Sequence, residues 1–569
     1  MIYHSYQAMA QHLNDAASKQ FPNTGLHDPM HQSELNEAFK YLALHSFNRD
    51  DQQVTLLKVT NCRESGVVNS FSGREAEQFK WNGNILGEFT PIKEEGIRKG
   101  IRYVPYEQMA PLAFNSATLS PPIPQAARAA YVTATLLSHF AETKNTRQME
   151  ELVANVSRTA FESLCSRYRV DTHTSEVLFD DNATMALYQW LGMLDREGDK
   201  FAMTFFDTGR VMPQALSGLN PEFLPDNFHP AMDVWCNRER VKGNNCDLSS
   251  WECDLVEHYT DRYLSDEEIL AQTILLLETT RPEVVVIPTV TRTGRRVNFV
   301  EVCEEVKSKA SELGYSPLIV LDDAQGLGRM TPSRYFTRQD GSMTNLWNYA
   351  DAVLLTGAKV TGALMGSGAI LYNKESFEKR QLPFGVSPLQ YRARQYALIS
   401  DDLERVYEHN QAAPGIAQTP EISSLTMAMG HLPKPDEVYH LMRQMREFVV
   451  DKLKQIPGVK VLEPEKNTKA RFEDSIVAFY LEDYPSDAEV RRFRGYLAQP
   501  REMGKPDWDN LPITLPAIIS ADRRHYLRLA LDPARAVSPD ESYLLKVSYV
   551  LDTMRDVMIR EFPARSLNQ

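Results

Sequence analysis

Continuous apolar runs alternate with stretches of helical spacing through the middle of the chain. EVLF (176–179) predicts a short strand, and ATMALYQWLGML (183–194) has the apolar spacing of a helix. KFAMTFF (200–206) predicts a strand, EEILAQTILLLETT (267–280) a helix and PEVVVIPTV (282–290) a strand. NFVEVCEEVKSKASELG (298–314) predicts an amphipathic helix, PLIVLDD (317–323) a strand, and ADAVLLT (350–356) and SGAILYN (367–373) two more. Unbroken Val/Ile/Leu runs between helices suit strands covered on both faces, so the alternation predicts a largely parallel α/β sheet. Ligands bind at the carboxyl ends of the strands in such sheets, and the polar residues there carry the candidate chemistry.

The flanks read differently. Residues 1–110 are polar and mixed, with helical spacing near 34–44, a strand near 54–59, no chemical motif and no internal repeat. LSPPIPQAARAAY (119–131) marks a boundary, its prolines preceding an alanine-rich helix. After about residue 435 the pattern becomes helix 436–456, strands 459–464 and 474–482, helix 486–499, strand 526–532 and helix 539–559. The expected organisation is an N-terminal extension of unassigned role (1–112), a large α/β domain (113–435) and a small α+β domain (436–569).

Composition narrows the function classes. The 569 residues carry a net charge of −14, against a general nucleic-acid or anionic-membrane binder. No apolar run approaches the roughly 20 residues that cross a bilayer, and the start of the sequence lacks a basic segment followed by an apolar one. The six cysteines form no CxxC pair, which excludes zinc-ribbon and thioredoxin motifs and suits reduced thiols in a cytoplasmic protein; in an oxidising compartment Cys246 and Cys253 could pair. P-loop, HExxH and EF-hand patterns are absent, and no metal is expected.

Three strand ends stand out. DDNAT (180–184) follows a strand and opens a helix, which suits either a phosphate or ordinary capping by Asp181 or Asn182. LDDAQ (321–325) ends a strand with two carboxylates and an amide; alone it reads first as a turn with solvated acids. TGAK (356–359) places Lys359 among residues with almost no side chain; alone it reads first as a surface lysine in a loop, and otherwise as an amine, costly to bury when charged, that is suited to covalent chemistry. An anion site, a carboxylate and a lysine at the strand ends of one sheet match the needs of pyridoxal phosphate.

These motifs, in this order, resemble the fold-type I pyridoxal-phosphate enzymes of the class V aminotransferase group, which contains the cysteine desulfurases. DNATMAL (181–187) stands where that family carries SGATEAL, RTGRRVNFVEV (292–302) where it carries TG and a helix, and LDDAQ where it carries VDGAQ. TGAKVTGALMGSGAILY matches its lysine element, AQTP (417–420) its AGTP, and YLRLA (526–530) its late arginine strand. The resemblance covers roughly 115–560 and implies the aspartate-aminotransferase-like fold, a mostly parallel seven-stranded-type sheet sandwiched by helices. It implies Lys359 as the Schiff-base lysine, Asp322 at the ring nitrogen and Gln325 at the ring hydroxyl. It adds Asn182, Ala183, Thr184, Thr291 and Thr356 as cofactor-binding positions and Arg528 as partner of the substrate carboxylate. Arg523 and Arg524 lie close to Arg528 in sequence. Thr419 would reach the cofactor of a neighbouring subunit, which implies a homodimer with the active site at its interface.

Several positions depart from the family. Ala358 replaces a histidine, and Asp181-Asn182 replaces Ser-Gly, bringing a carboxylate where a phosphate would be repelled. The histidine that stacks on the ring has no counterpart near FDTGRVMP (206–213), where Asp207, Thr208 and Arg210 are candidates. Residues 374–569 contain no cysteine, which removes a desulfurase with a carboxyl-terminal persulfide carrier. The expectation is an enzyme acting on an α-amino acid through its α-carbanion, by transamination ahead of β- or γ-elimination or replacement. A catalytically idle scaffold relative is the alternative from another class.

Overall fold

The computed structural model describes residues 2–20, 89–91, 101–103, most of 123–190, short strands between 200 and 263, most of 266–379, most of 419–462, most of 471–498, 517–519 and most of 525–562. In chain order its principal helices are α1 (Ile2–Gln20), α2 (Thr146–Tyr168), α3 (Asp266–Thr280), α4 (Phe299–Glu312), α5 (Thr419–Gly430), α6 (Pro435–Lys454), α7 (Asp487–Ala498) and α8 (Ser542–Glu561). Its principal strands are β1 (Ser175–Asp180), β2 (Val284–Pro288), β3 (Arg295–Arg296), β4 (Leu318–Asp322), β5 (Ala352–Thr356) and β6 (Gly368–Asn373). They continue with β7 (Val459–Val461), β8 (Arg471–Phe472), β9 (Ile476–Leu481), β10 (Ala517–Ile519) and β11 (His525–Ala530). The chain divides into two compact units, and the division falls inside β5, after Val353.

The first unit comprises Met1–Met109, Leu119–Asp195 and Leu354–Leu432. Met9 and Leu13 of α1 share a core with Val156 and Ala160 of α2 and with Ile422 and Met427 of α5. Their four-residue spacing puts Met9 and Leu13 on one face of α1, but alanines and polar residues surround them and mute the pattern in the sequence. α2, which the sequence reading also missed, begins at Asn145, whose side chain accepts from the Gln148 N–H at 3.3 Å. It ends at Arg169 in the left-handed region, φ 52°. β1 and β6 run antiparallel, with Asp180 opposite Gly368 and Ser175 opposite Asn373. Trp190 is wholly buried, its ring 5.9 Å from Phe377 and 6.3 Å from Tyr372.

The second unit comprises Ala110–Thr118, Arg196–Val353 and Pro433–Gln569. β2 and β4 are parallel, with Val284 opposite Leu318 and Pro288 opposite Asp322. A parallel pair needs a crossover, which α4 supplies; its Val302, Cys303, Val306 and Ala310 are buried, and α3 packs beside it. All five residues of β2 are buried, as its unbroken apolar run predicts. Further along, β7, β9, β11 and β10 form an antiparallel sheet in that order. Its core joins Phe479 and Leu529 to Val449 of α6, Phe493 of α7 and Met554 of α8. Leu527 and Leu529 face that core, so Tyr526, Arg528 and Ala530 lie on the opposite face of β11.

The parallel β2–β4 pair with its crossover helix matches the expected α/β pattern, and the antiparallel β1–β6 pair is an exception to it. The single strand expected at 200–206 is two short ones, Lys200–Phe201 and Thr204–Phe206. The helix near 34–44 and the strand near 54–59 lie outside the described residues. No helix among the described residues is long and apolar enough to cross a membrane. Burial pushes the Cys165 thiol up to about 12 and the Cys303 thiol well above its ordinary value, so both stay protonated and unreactive at neutral pH. Phe479→Ala should lower stability by about 3–5 kcal/mol, read as an earlier urea midpoint; an unchanged midpoint would mean that this core does not form.

Candidate active site

In the second unit the predicted residues cluster at the ends of β2 and β4. Asp322 and Asp323 are adjacent but differently placed. Asp323 is wholly buried and accepts hydrogen bonds from the Thr289 hydroxyl at 2.6 Å and the Tyr335 hydroxyl at 2.7 and 2.8 Å. Asp322, the last residue of β4, is half-buried; its Oδ1 accepts from the Ala324 N–H at 3.0 Å, and its Oδ2 accepts none among the described residues. One carboxylate therefore builds the turn and the other is presented by it.

The turn itself is tight. Asp323 O accepts from the Gly326 and Leu327 N–H groups at 3.0 and 2.9 Å, and Gly326 O accepts from Arg329 and Met330 at 2.9 and 3.0 Å. A Cβ on Gly326 would collide with Asp323 Oδ1 and Thr289 Oγ1, so only glycine fits there. Gln325 is buried within this turn, 6% exposed. The Tyr349 hydroxyl donates to Tyr335 O at 2.6 Å, and burial holds that phenol well above its ordinary value, so it remains a donor.

Thr291 lies beyond β2 in a short hairpin. Its N–H donates to Arg295 O at 2.9 Å, and its hydroxyl oxygen accepts from the Arg295 N–H at 3.0 Å. Arg528, 6% exposed, lies at the middle of β11 opposite Ala478.

In the first unit, Thr356 is buried at the end of β5 and Lys359 follows, half-buried, in the turn that leaves the strand. Gly357 starts this turn, its N–H donating to Ser367 O at 2.9 Å and its O accepting from Ala363 at 3.1 Å. A Cβ on Gly357 would stand 2.6 Å from Leu425 Cδ1 and 2.8 Å from both Ala363 Cβ and Ser367 Oγ. α5 supports the same loop, with Ser424 Oγ accepting from the Leu364 N–H at 2.9 Å. Thr419, wholly buried, opens α5. Ala183 is helical and buried, and Asp180 is wholly buried at the end of β1. Asn182, Thr184, Asp181, Arg523, Arg524 and the candidates at 207–210 lie outside the described residues.

The structure thus groups Asp322, Gln325 and Thr291 in the second unit, and Thr356 and Lys359 in the first. Sequence reasoning missed Thr289 and Tyr335, which fix the Asp322 turn. Thr289 had a signal, since it is the polar residue just past β2 near the end of the PEVVVIPTV run; Tyr335 had none, because its bond to Asp323 spans a loop.

No family model matches the chain, and no curated protein matches it. Among solved structures, a lysine-to-alanine mutant of C-DES with glycine covalently linked to its PLP cofactor is 15% identical, covering 78% of this chain and 96% of its own at a TM-score of 0.51. The cystine C-S lyase C-DES in complex with its product cysteine persulfide is 14% identical, with 78% and 97% covered and a TM-score of 0.49. Ureidoglycine–glyoxylate aminotransferase from Bacillus subtilis is 12% identical, with 73% and 87% covered and a TM-score of 0.43. The likeness to the first of these shows the fold: this chain folds as C-DES does.

Gly326→Ala must push Asp323 or Thr289 aside, and should cost about 1–3 kcal/mol in thermal or urea unfolding. Tyr335→Phe removes one donor from a buried carboxylate and should cost about 1–3 kcal/mol in the same measurement. Wild-type stability in both would show that the Asp323 turn is not built as described.

Proposed function

We propose that the chain binds pyridoxal phosphate through Lys359 and acts on an α-amino acid. The observation that carries this reading is the presentation of Asp322: a half-buried carboxylate at a strand end, one oxygen held by Ala324 and the other without a hydrogen bond among the described residues. That donor set fits a cofactor whose protonated ring nitrogen needs a carboxylate. Lys359 adds a half-buried amine in the tight turn that Gly357 opens at the end of β5. The C-DES fold agrees, because the matched C-DES structure carries PLP.

When bound, the cofactor supplies an aldehyde that takes the amine of a substrate and a ring that accepts electrons from its α-carbon. Asp322 holds the proton on the ring nitrogen and so keeps the ring electron-accepting. Gln325 hydrogen-bonds the ring hydroxyl. Asn182, Ala183, Thr184, Thr291 and Thr356 serve as cofactor-binding positions, and Thr419 serves the cofactor of the partner in a homodimer. The planar guanidinium of Arg528 pairs in bidentate fashion with the substrate carboxylate. The Lys359 amine takes the α-proton and returns it, as base and then acid. Transamination ranks ahead of elimination because it requires no leaving group on the side chain.

Purified protein given pyridoxal phosphate should develop a visible absorption band that Lys359→Ala lacks. A panel of amino acids then separates the reactions. Conversion of the cofactor to its amine form with release of a keto acid marks transamination; release of pyruvate, ammonia or a side-chain fragment marks elimination. Asp322→Asn should keep the band and slow turnover by about 100-fold or more. A wild-type protein that never takes up the cofactor overturns the proposal.

A further inference from the structure

The turn that presents Asp322 also reaches the sheet that bears Arg528. We propose that Arg329 is a positioning residue that fixes Arg528 relative to Asp322, a proposal that rests on the cofactor reading above. Arg329 lies in the tight turn seven residues after Asp322 and is 8% exposed. Its Nη1 donates to Ser475 Oγ, on a wholly buried residue immediately before β9. Ser475 O in turn accepts from the Leu531 N–H at 2.7 Å, and Leu531 lies three residues after Arg528 on the same strand path.

A second tie runs parallel to the first. The Thr289 N–H donates to Asp322 O at 3.0 Å, which locks the ends of β2 and β4 together. The hairpin that follows Thr289 then pairs β3 with β8, Arg295 opposite Phe472. At its tip Gly294, φ 92°, lies so close to β9 that a Cβ would stand 2.9 Å from both Ile476 Cβ and Ile476 O. Ile476 is the register partner of Ala530, two residues from Arg528 on the same face of β11. Both strand ends therefore grip the start of β9, and β9 carries β11.

The chemistry explains why an arginine makes the tie. A guanidinium out of water is costly unless it is hydrogen-bonded, so Arg329 is stable only while it holds a partner such as Ser475. A strand in a paired sheet does not slide along its neighbour without losing register. Fixing Ser475 therefore fixes the distance from the Asp322 carboxylate to the Arg528 guanidinium. In the proposed reaction those two groups hold the cofactor ring and the substrate carboxylate, and a small displacement between them costs rate steeply. Loss of Arg329 should spare cofactor binding and weaken recognition of a carboxylate.

The test compares two carbonyl reagents on the cofactor-loaded protein. Aminooxyacetate carries a carboxylate and O-methylhydroxylamine does not, yet both attack the same cofactor carbon and displace the Lys359 amine from it. Arg329→Met should slow aminooxyacetate about tenfold and leave O-methylhydroxylamine within about twofold of wild type. Arg329→Lys should restore most of the loss. Ser475→Ala should reproduce it, and the double variant should be no worse than either single one. Hydrogen exchange of residues 525–531, read on the cofactor-free protein, should quicken in Arg329→Met. Equal slowing of both reagents, additive single effects, or unchanged exchange would each overturn the proposal. Should wild-type protein take up no cofactor, the cofactor reading fails by itself, and the exchange measurement alone decides whether Arg329 holds the sheet.

Discussion

A carboxylate taken out of water must be surrounded by donors, and the Asp323 carboxylate meets that demand with Thr289 and Tyr335. The consequences spread outward from that one group. Thr289 ties the end of β2 to the end of β4, Gly326 has no room for a side chain, and the turn from 323 to 330 closes on itself. Asp322 is left half-buried at the lip of this turn, its Oδ1 held by the Ala324 N–H. A buried acid held by two donors thus sets the direction of the acid beside it.

The same economy of side chains shapes the lysine loop. Gly357 packs against Leu425, Ala363 and Ser367, and Ser424 of α5 holds the Leu364 N–H. Small residues bring the backbone close to α5 and leave Lys359 as the one long side chain in the stretch from Thr356 to Ala363.

Much of this was legible in the sequence, for identifiable reasons. Runs such as VVVIP and LIVLD are apolar throughout because both faces are covered, and they predicted β2 and β4 directly. The amphipathic spacing of α4 and α6 was equally plain. α1 was not, because Met9 and Leu13 stand among alanines and polar residues. α2 buries Ser163 and Arg167 beside its apolar residues, which blurs its stripe. At the candidate site, the motif order pointed to Asp322, Gln325 and Lys359. It did not distinguish the roles of Asp322 and Asp323, which depend on Thr289 and Tyr335 approaching from 34 and 12 residues away. Nor did it show that Arg329 leaves the turn to reach Ser475, a contact spanning 146 residues. Local pattern reports burial and periodicity; it is silent on which distant donor a polar group finds.

The central claim is that one amine, that of Lys359, carries the cofactor. Borohydride reduction of the cofactor-loaded protein, followed by digestion and mass mapping of the peptides, tests it most directly. The account predicts the mass of a reduced pyridoxal phosphate on the peptide containing Lys359 and on no other. The added mass on a different lysine, or on none, would contradict it.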